Sequence, residues 1–220
     1  MPAEEFSYSV RRAPRARRVR VRVDPEHGVE VVLPPRAPER AAGAAVAELA
    51  PWIERRLAEL ARARARVARD GSWLPYLDRR LALVTEPGRR RAHRKGDVLL
   101  IPAGEPARAA IERWYRRAAR HEIGARLDAA TAAAGSRYTM LAIRNQRTRW
   151  ASCARDGAMS FNWRLLLAPE RVLDYVVWHE VCHLEIADHS PQFWALLERR
   201  YPEWRGPAAW LRENGPVLVL

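Results

Sequence analysis

"HEVCHLEIADH", residues 179–189, puts three of the chain's six histidines into eleven positions, with an acid, Glu180, directly after the first. His179 and His183 are four residues apart, so on a helix their side chains share one face with Cβ atoms about 5 to 6 Å apart. The preceding stretch "PERVLDYVVW", residues 169–178, has proline in its first turn and unbroken apolar periodicity, which predicts a helix running through both histidines. Metal–nitrogen bonds of about 2.0 to 2.1 Å let one zinc ion sit between two such rings, with Glu180 placed as general base toward a water on that ion. His189 is the candidate third ligand. On a continuous helix it would lie about 9 Å further along the axis and on another face, so the helix must end after His183 and the chain must fold back. Asp188 tolerates the left-handed backbone that such reversals often use, and Ser190 with Pro191 reads as the N-cap and first residue of the next helix. Glu198 or Glu203, from that following helix, is the alternative third ligand. Three protein donors and one open position are the pattern of a catalytic zinc, here one per chain.

Other residues near this stretch have narrower expectations. Cys182 adjoins a ligand but points off the shared face, so it reads as a small buried hydrophobe. Asp174 and Glu185 are the nearest acids that could orient an imidazole through its second nitrogen, with Asp174 equally a solvated residue near the helix start. The strand-like segment "IRNQRTRWASC", residues 143–153, offers Asn145, Arg147 and Arg149 as donors to substrate or to a developing oxyanion. Alternation puts Arg147 and Arg149 on one face, which equally suits solvent. A second "HE", at His121 and Glu122, has Ala125 at the i+4 position, so His121 lacks a partner imidazole and is structural.

The rest of the chain predicts an α+β protein. Residues 8–35, "YSVRRAPRARRVRVRVDPEHGVEVVLPP", alternate in "VRVRV", break at "DPEHG" and resume in "VEVVL", which is a hairpin pattern. An Ala, Leu and Arg pattern from Pro38 to Val67, with Pro51 near its middle, predicts two helices or one kinked helix. A second β region follows in "LPYLDRRLALV" and "DVLLIPAG". A long helix spans Pro106 to Ala134 and stops at Gly135. Two strand segments joined by the turn "ARDG" then precede the histidine helix and its successor. The division expected is a small N-terminal β-rich module with a helical insertion over residues 1–102 and an α+β domain over residues 103–220.

A length of 220 residues with 48% hydrophobic and 30% charged composition is that of a globular protein with a core of its own. Two cysteines, Cys153 and Cys182, lie in separate segments without a CxxC pair, which points to a reducing compartment. "MPAEEFSYSV" lacks the cationic start and apolar run of a signal peptide, and no stretch approaches the roughly 18 apolar residues of a membrane span. The expected location is the cytoplasm, away from membranes. Basic residues number 39 against 26 acidic, a formal net charge of +13, and Lys95 is the one lysine. Such a surplus attracts phosphate-rich or acidic partners, nucleic acid among them, or else records a compositional preference for arginine and alanine. "EPGRRRAHRKGD", residues 86–97, is the candidate phosphate-facing loop, alternatively a solvated turn. "RARARVARD", residues 62–70, is a solvated helix face or a contact for an anionic partner.

"IRNQRTRWASC" together with "SFNWRLLLAPERVLDYVVWHEVCHLEIADHSPQFWALLERRYPEW", residues 160–204, resembles the YgjP-like metallopeptidase domain family, related to the SprT-like and WLM zinc proteins. A looser likeness extends to "RRAPRARRVRVRVDPEHGVEVVLPP" and "LPYLDRRLAL". The resemblance implies that His179, His183 and His189 are zinc ligands and Glu180 the catalytic acid/base. It also implies a minimal zincin-like C-terminal domain around an HExxH active-site helix. Ala151 stands where the family commonly has glycine in "TRWGSC", and Asp78 where "PYLG" is usual. Ile186 replaces the glycine that metzincins place within the same histidine spacing. The expected function is zinc-dependent hydrolysis, most simply of peptides. The alternatives are a nucleotide phosphoanhydride hydrolase of the nucleoside triphosphate pyrophosphatase type, with arginines holding phosphates, and a nucleic-acid-associated SprT-like protease.

Overall fold

Alternating valines build the first sheet. A computed structural model describes residues 7–24, 27–66, 71–104, 106–146 and 148–220. In it β1 (Tyr8–Arg12), β2 (Arg20–Asp24) and β3 (Gly28–Leu33) form a sheet of order β1-β3-β2. The predicted hairpin is β2 against β3, antiparallel with Val21 opposite Val31; residues 25 and 26 of its "DPEHG" break lie outside the described residues. β1 adds to the far side of β3 in parallel, a pairing that alternation does not encode. The Arg-Ala-Leu pattern resolves into α1 (Arg40–Glu48) and α2 (Ala50–Arg66), with Pro51 in the first turn of α2, where a missing N–H is harmless. Val29, Val31 and Leu33 pack with Ala42, Val46 and Ile53 in a core of their own. Arg62 and Arg64 are exposed on α2, and positions 67–70 of the "RARARVARD" stretch fall outside the described residues.

The chain divides between Ala68 and Arg69, earlier than the expected boundary after residue 102. The reason lies in where the second sheet buries its apolar face. β4 (Trp73–Tyr76), β5 (Arg79–Thr85), β6 (His93–Lys95) and β7 (Val98–Ile101) pair in the order β4-β5-β7-β6. Leu74, Tyr76, Leu81 and Leu99 enter one core with Trp114, Tyr115, Trp163 and Val172 from later in the chain. The Tyr115 hydroxyl donates to the Pro75 carbonyl, and the Leu77 N–H donates to the Leu166 carbonyl at 2.8 Å. Leu77 takes a left-handed backbone, φ 55°, in the turn before Asp78.

α3 (Pro106–Ala134) is the predicted long helix. Its stop works as expected: Gly135 adopts φ 63°, and the N–H groups of Gly135 and Ser136 return to the carbonyls of Ala132 and Thr131. β8 (Met140–Arg144), β9 (Ala151–Cys153) and β10 (Ala158–Asn162) make a third sheet of order β8-β10-β9, followed by a short 3-10 helix over Trp163–Leu167. The predicted turn joins β9 to β10, while β8 pairs with β10 in parallel. α4 (Glu170–Cys182), α5 (Pro191–Arg200) and α6 (Arg205–Asn214) complete the unit. Among the described residues there are thus six α-helices and three small sheets, an α+β fold, and no helix is long and apolar enough to cross a membrane.

"IRNQRTRWASC" is not the continuous strand expected of it. β8 ends at Arg144 and β9 starts at Ala151, because Asn162 pins the backbone between them. Its side-chain amide donates to the carbonyls of Gln146, at 2.8 Å, and Arg149, while its oxygen accepts from the Arg164 N–H at 3.1 Å. Asn162 is 1% exposed, so nothing replaces these partners when the amide is removed. Asn162→Ala is expected to destabilise the protein by about 2 to 3 kcal/mol, lowering the melting temperature by roughly 4 to 12 °C in a thermal scan.

Candidate metal centre

α4 is amphipathic along the predicted period, with Val172, Leu173, Val176, Val177 and Val181 buried. Its last turn carries His179 and Glu180, and His183 caps it. Beyond Glu180 the backbone tightens to short-range turns: His183, Leu184 and Glu185 donate to the carbonyls of Glu180, Val181 and Cys182, and the Ile186 N–H also ends on Cys182. The helix therefore stops where the third histidine requires it to. The reversal uses no left-handed residue, contrary to the role expected of Asp188; no non-glycine residue other than Leu77 has positive φ among the described residues. Asp188 instead accepts from the Ser190 N–H at 3.1 Å, and Pro191 opens α5 from an extended Ser190.

The three imidazoles converge. Their centroids lie 5.0, 5.0 and 4.7 Å apart, and one nitrogen from each falls within 4.8 Å of the others. The Nε2 atoms of His179 and His189 are 3.0 Å apart. Two nitrogens on a tetrahedral zinc stand roughly 3.3 Å apart, so this spacing is close to a coordinated one. His183 turns Nδ1 to the Ile186 carbonyl at 3.0 Å; with the proton on Nδ1, its Nε2 lone pair is left for the cluster. Burial, and then the two neighbouring rings, push His179 down to about 3, and burial lowers His183. Neutral rings expose the lone pairs that metals bind. No other His, Cys, Asp or Glu joins the group among the described residues. Three neutral nitrogen donors without a thiolate suit zinc, and His179 Nδ1 is a buried polar atom with no partner of its own.

Glu180 follows His179 in the last turn of α4 and is 6% exposed. Burial pushes its carboxyl up to about 8, opposed by a hydrogen bond from the Cys153 backbone N–H. Its Oε2 is buried without a hydrogen-bond partner. β9, at the edge of its sheet, packs against α4 and brings Cys153 to this point. Burial first, then Glu180 and Asp156, push the Cys153 thiol up to about 11.

α4 is tied down at its other end. Arg126 of α3 donates to Glu122 at 2.6 Å, to Asp174 at 2.9 Å and to Glu170, and Glu122 also accepts from the Tyr76 hydroxyl at 2.8 Å. Asp174 thus holds the helix through Arg126 rather than orienting an imidazole, because the guanidinium fork outcompetes a ring at the far end of the helix. Asp78 accepts from the Glu170 N–H at 3.2 Å, an external cap on the first turn of α4. Glu185 pairs with Arg200, and Glu198 is held by Arg205 and Trp204, which leaves neither on a histidine. Cys182 is buried with Phe193 and Leu197, as its position off the ligand face predicts. His121 is exposed on α3. Asn145 and Arg149 are exposed in the connection between β8 and β9, and among the described residues no hydrogen bond or ion pair joins their side chains to the histidines or Glu180; Arg147 lies outside the described residues.

Three aromatic residues at the site escaped the sequence reading. Phe193 is fully buried, stacks on His183 at 4.5 Å, and meets His179 and His189 edge-on at 4.9 Å. The Tyr175 ring meets His179 at 5.8 Å and lies near enough to Glu180 for that carboxylate to raise its phenol beyond the effect of burial. Trp194 donates from Nε1 to the His189 carbonyl at 3.0 Å and stacks on Trp204. For Tyr175 the signal was available, since it stands four residues before His179 on the same helix.

Residues 17–214 match the family described as "YgjP-like, metallopeptidase domain". No curated protein matches the chain. The chain is similar to the crystal structure of the metallopeptidase zymogen of Pyrococcus abyssi abylysin. The identity is 24%, with 41% of this chain and 90% of that chain covered and a TM-score of 0.36, which is too distant to support the fold. The family match spans nine-tenths of the sequence and contains every residue of the histidine cluster. The chain belongs to the YgjP-like metallopeptidase domain family.

Proposed function

We propose that the protein is a zinc-dependent peptidase whose ligands are His179, His183 and His189 and whose general acid/base is Glu180. One observation carries this: three imidazole nitrogens lie within 4.8 Å of one another, next in sequence to a buried carboxylate with an unpartnered oxygen. When bound, a zinc ion supplies Lewis acidity toward a carbonyl oxygen and acidifies a water ligand.

The chain's own residues do the rest. The Ile186 carbonyl sets the His183 tautomer, and Phe193 forms an apolar floor that keeps the rings from turning over. Glu180 Oε1 or Oε2 takes a proton from the attacking water and returns it to the leaving amine nitrogen. The Cys153 N–H holds that carboxylate in place, and the Tyr175 ring packs edge-on against His179. His189 is exposed, so the cluster opens to solvent on the side a peptide would enter. Two free thiols, Cys153 and Cys182, fit work in a reducing compartment, the cytoplasm.

The zinc-loaded chain, offered unstructured peptides and nucleoside triphosphates side by side, is expected to cleave peptide bonds, read as new fragments by mass spectrometry. Release of phosphate or pyrophosphate with intact peptides would overturn the assignment in favour of phosphoanhydride hydrolysis.

A further inference from the structure

The positive charge of the second unit is concentrated. Between Arg79 and Arg120 stand twelve Arg and Lys against four acids, whereas the remainder of residues 69–220 holds thirteen of each. A general preference for arginine raises its frequency everywhere and gives no account of why the surplus within this unit falls in one segment.

The fold gathers this segment onto one surface. Arg113, Arg117 and Arg120 occupy i, i+4 and i+7 of α3, share a face over about 10.5 Å of helix axis, and are exposed. The connection from β5 to β6 lies against that helix: Ala92 is buried in the core with Ile111 and Trp114, and Arg117 donates to the Ala92 carbonyl. Arg90 and Arg91, both exposed, flank that contact. The described acids of the segment are already engaged, Glu86 by Arg89, Asp97 by Arg79 and Arg94, and Glu112 by Arg116. Arg90, Arg91, Lys95, Arg113 and Arg120 have no carboxylate partner among the described residues. Crowded like charges repel one another, and an anionic partner relieves that repulsion.

We propose that this surface docks double-stranded nucleic acid through its phosphate backbone, without regard to base sequence. Guanidinium forks match phosphate oxygens two at a time, and 10.5 Å of helix spans about three phosphates of one strand at roughly 3.4 Å of axial rise each. A duplex fits better than a single strand, because single-strand grooves present open aromatic faces for stacking. Here Trp73 is covered by Arg80, and Tyr76 is buried beneath Arg94. A membrane surface fits poorly: interfacial binders pair cations with exposed apolar side chains, and Val84 is the one large exposed hydrophobe described in this segment. The surface uses no residue of the histidine cluster.

The test is the anisotropy of a labelled DNA duplex of about 20 base pairs, titrated with the full chain between about 50 and 200 mM salt. Log affinity is expected to fall linearly with log salt. Arg113→Gln/Arg120→Gln and, separately, Arg90→Gln/Arg91→Gln should each flatten that slope by about two and weaken binding by about tenfold or more. Arg199→Gln/Arg212→Gln removes the same charge from the balanced part of the unit and should leave both quantities unchanged. An equal loss in that control variant would assign any binding to net charge alone and overturn the proposal. So would salt-insensitive binding, or capture by phosphatidylserine vesicles in preference to the duplex.

Discussion

Glu180→Gln is expected to lower peptide turnover by about 10²- to 10⁴-fold while zinc content and fold are retained. The substitution is nearly isosteric and takes from the site only the ability to accept and return a proton. Its structural cost is small for a particular reason. Glu180 is 6% exposed, its Oε2 has no hydrogen-bond partner, and it accepts from the Cys153 backbone N–H, a bond that a glutamine oxygen also accepts. In the chelated protein a buried carboxylate without a matching cation costs free energy that a neutral amide avoids, so there the melting temperature of the variant should equal or exceed that of the parent. A damaged fold would instead lower melting temperature, zinc content and turnover together. The measurement is kcat/KM on a cleaved peptide alongside zinc analysis and a thermal scan. Retained turnover in a zinc-loaded Glu180→Gln protein would remove Glu180 from the chemistry and with it the hydrolytic mechanism.

The parts of this site that were legible beforehand are those whose information is local. A four-residue histidine spacing on an apolar period places two rings on one face whatever surrounds the helix, and a third ligand at His189, ten residues after His179, needs the helix to end. Gly135 could be read as a stop for α3 because a left-handed residue closes the last turn using that helix's own carbonyls. Partner choice across long separations was not legible. Nothing in "YSVRR" states that β1 joins β3 in parallel, and nothing near Asp174 names Arg126, 48 residues upstream, as its partner. Topology likewise decided the division of the chain, since the strands around Leu81 and Leu99 could bury their apolar face against either neighbour and chose Tyr115 and Trp163. The break in "IRNQRTRWASC" has the same origin: propensity favours a strand there, and the buried Asn162 amide overrides it.

Zinc should stabilise the parent protein in a way that depends on each of the three histidines. An ion at about a thousand times its dissociation constant adds about 4 kcal/mol to the folded state. For a chain of this size that corresponds to roughly 8 to 16 °C between the chelated and loaded forms. His183→Ala should abolish the difference rather than reduce it, because two remaining rings neither complete the coordination nor hold each other in place once the ring stacked on Phe193 is gone. The readout is the zinc-dependent shift and not the absolute melting temperature, since losing that stacked ring also costs packing in the chelated protein. His189→Ala should behave alike, which tests the folded-back geometry: its Nε2, 3.0 Å from that of His179, arrives only because the helix ends at residue 183. Glu198→Gln should keep the full shift, since that carboxylate is engaged by Arg205 and the Trp204 indole. If Glu198→Gln lost the zinc response while His189→Ala kept it, the third ligand would be the glutamate of α5 and the triad of histidines would be wrong.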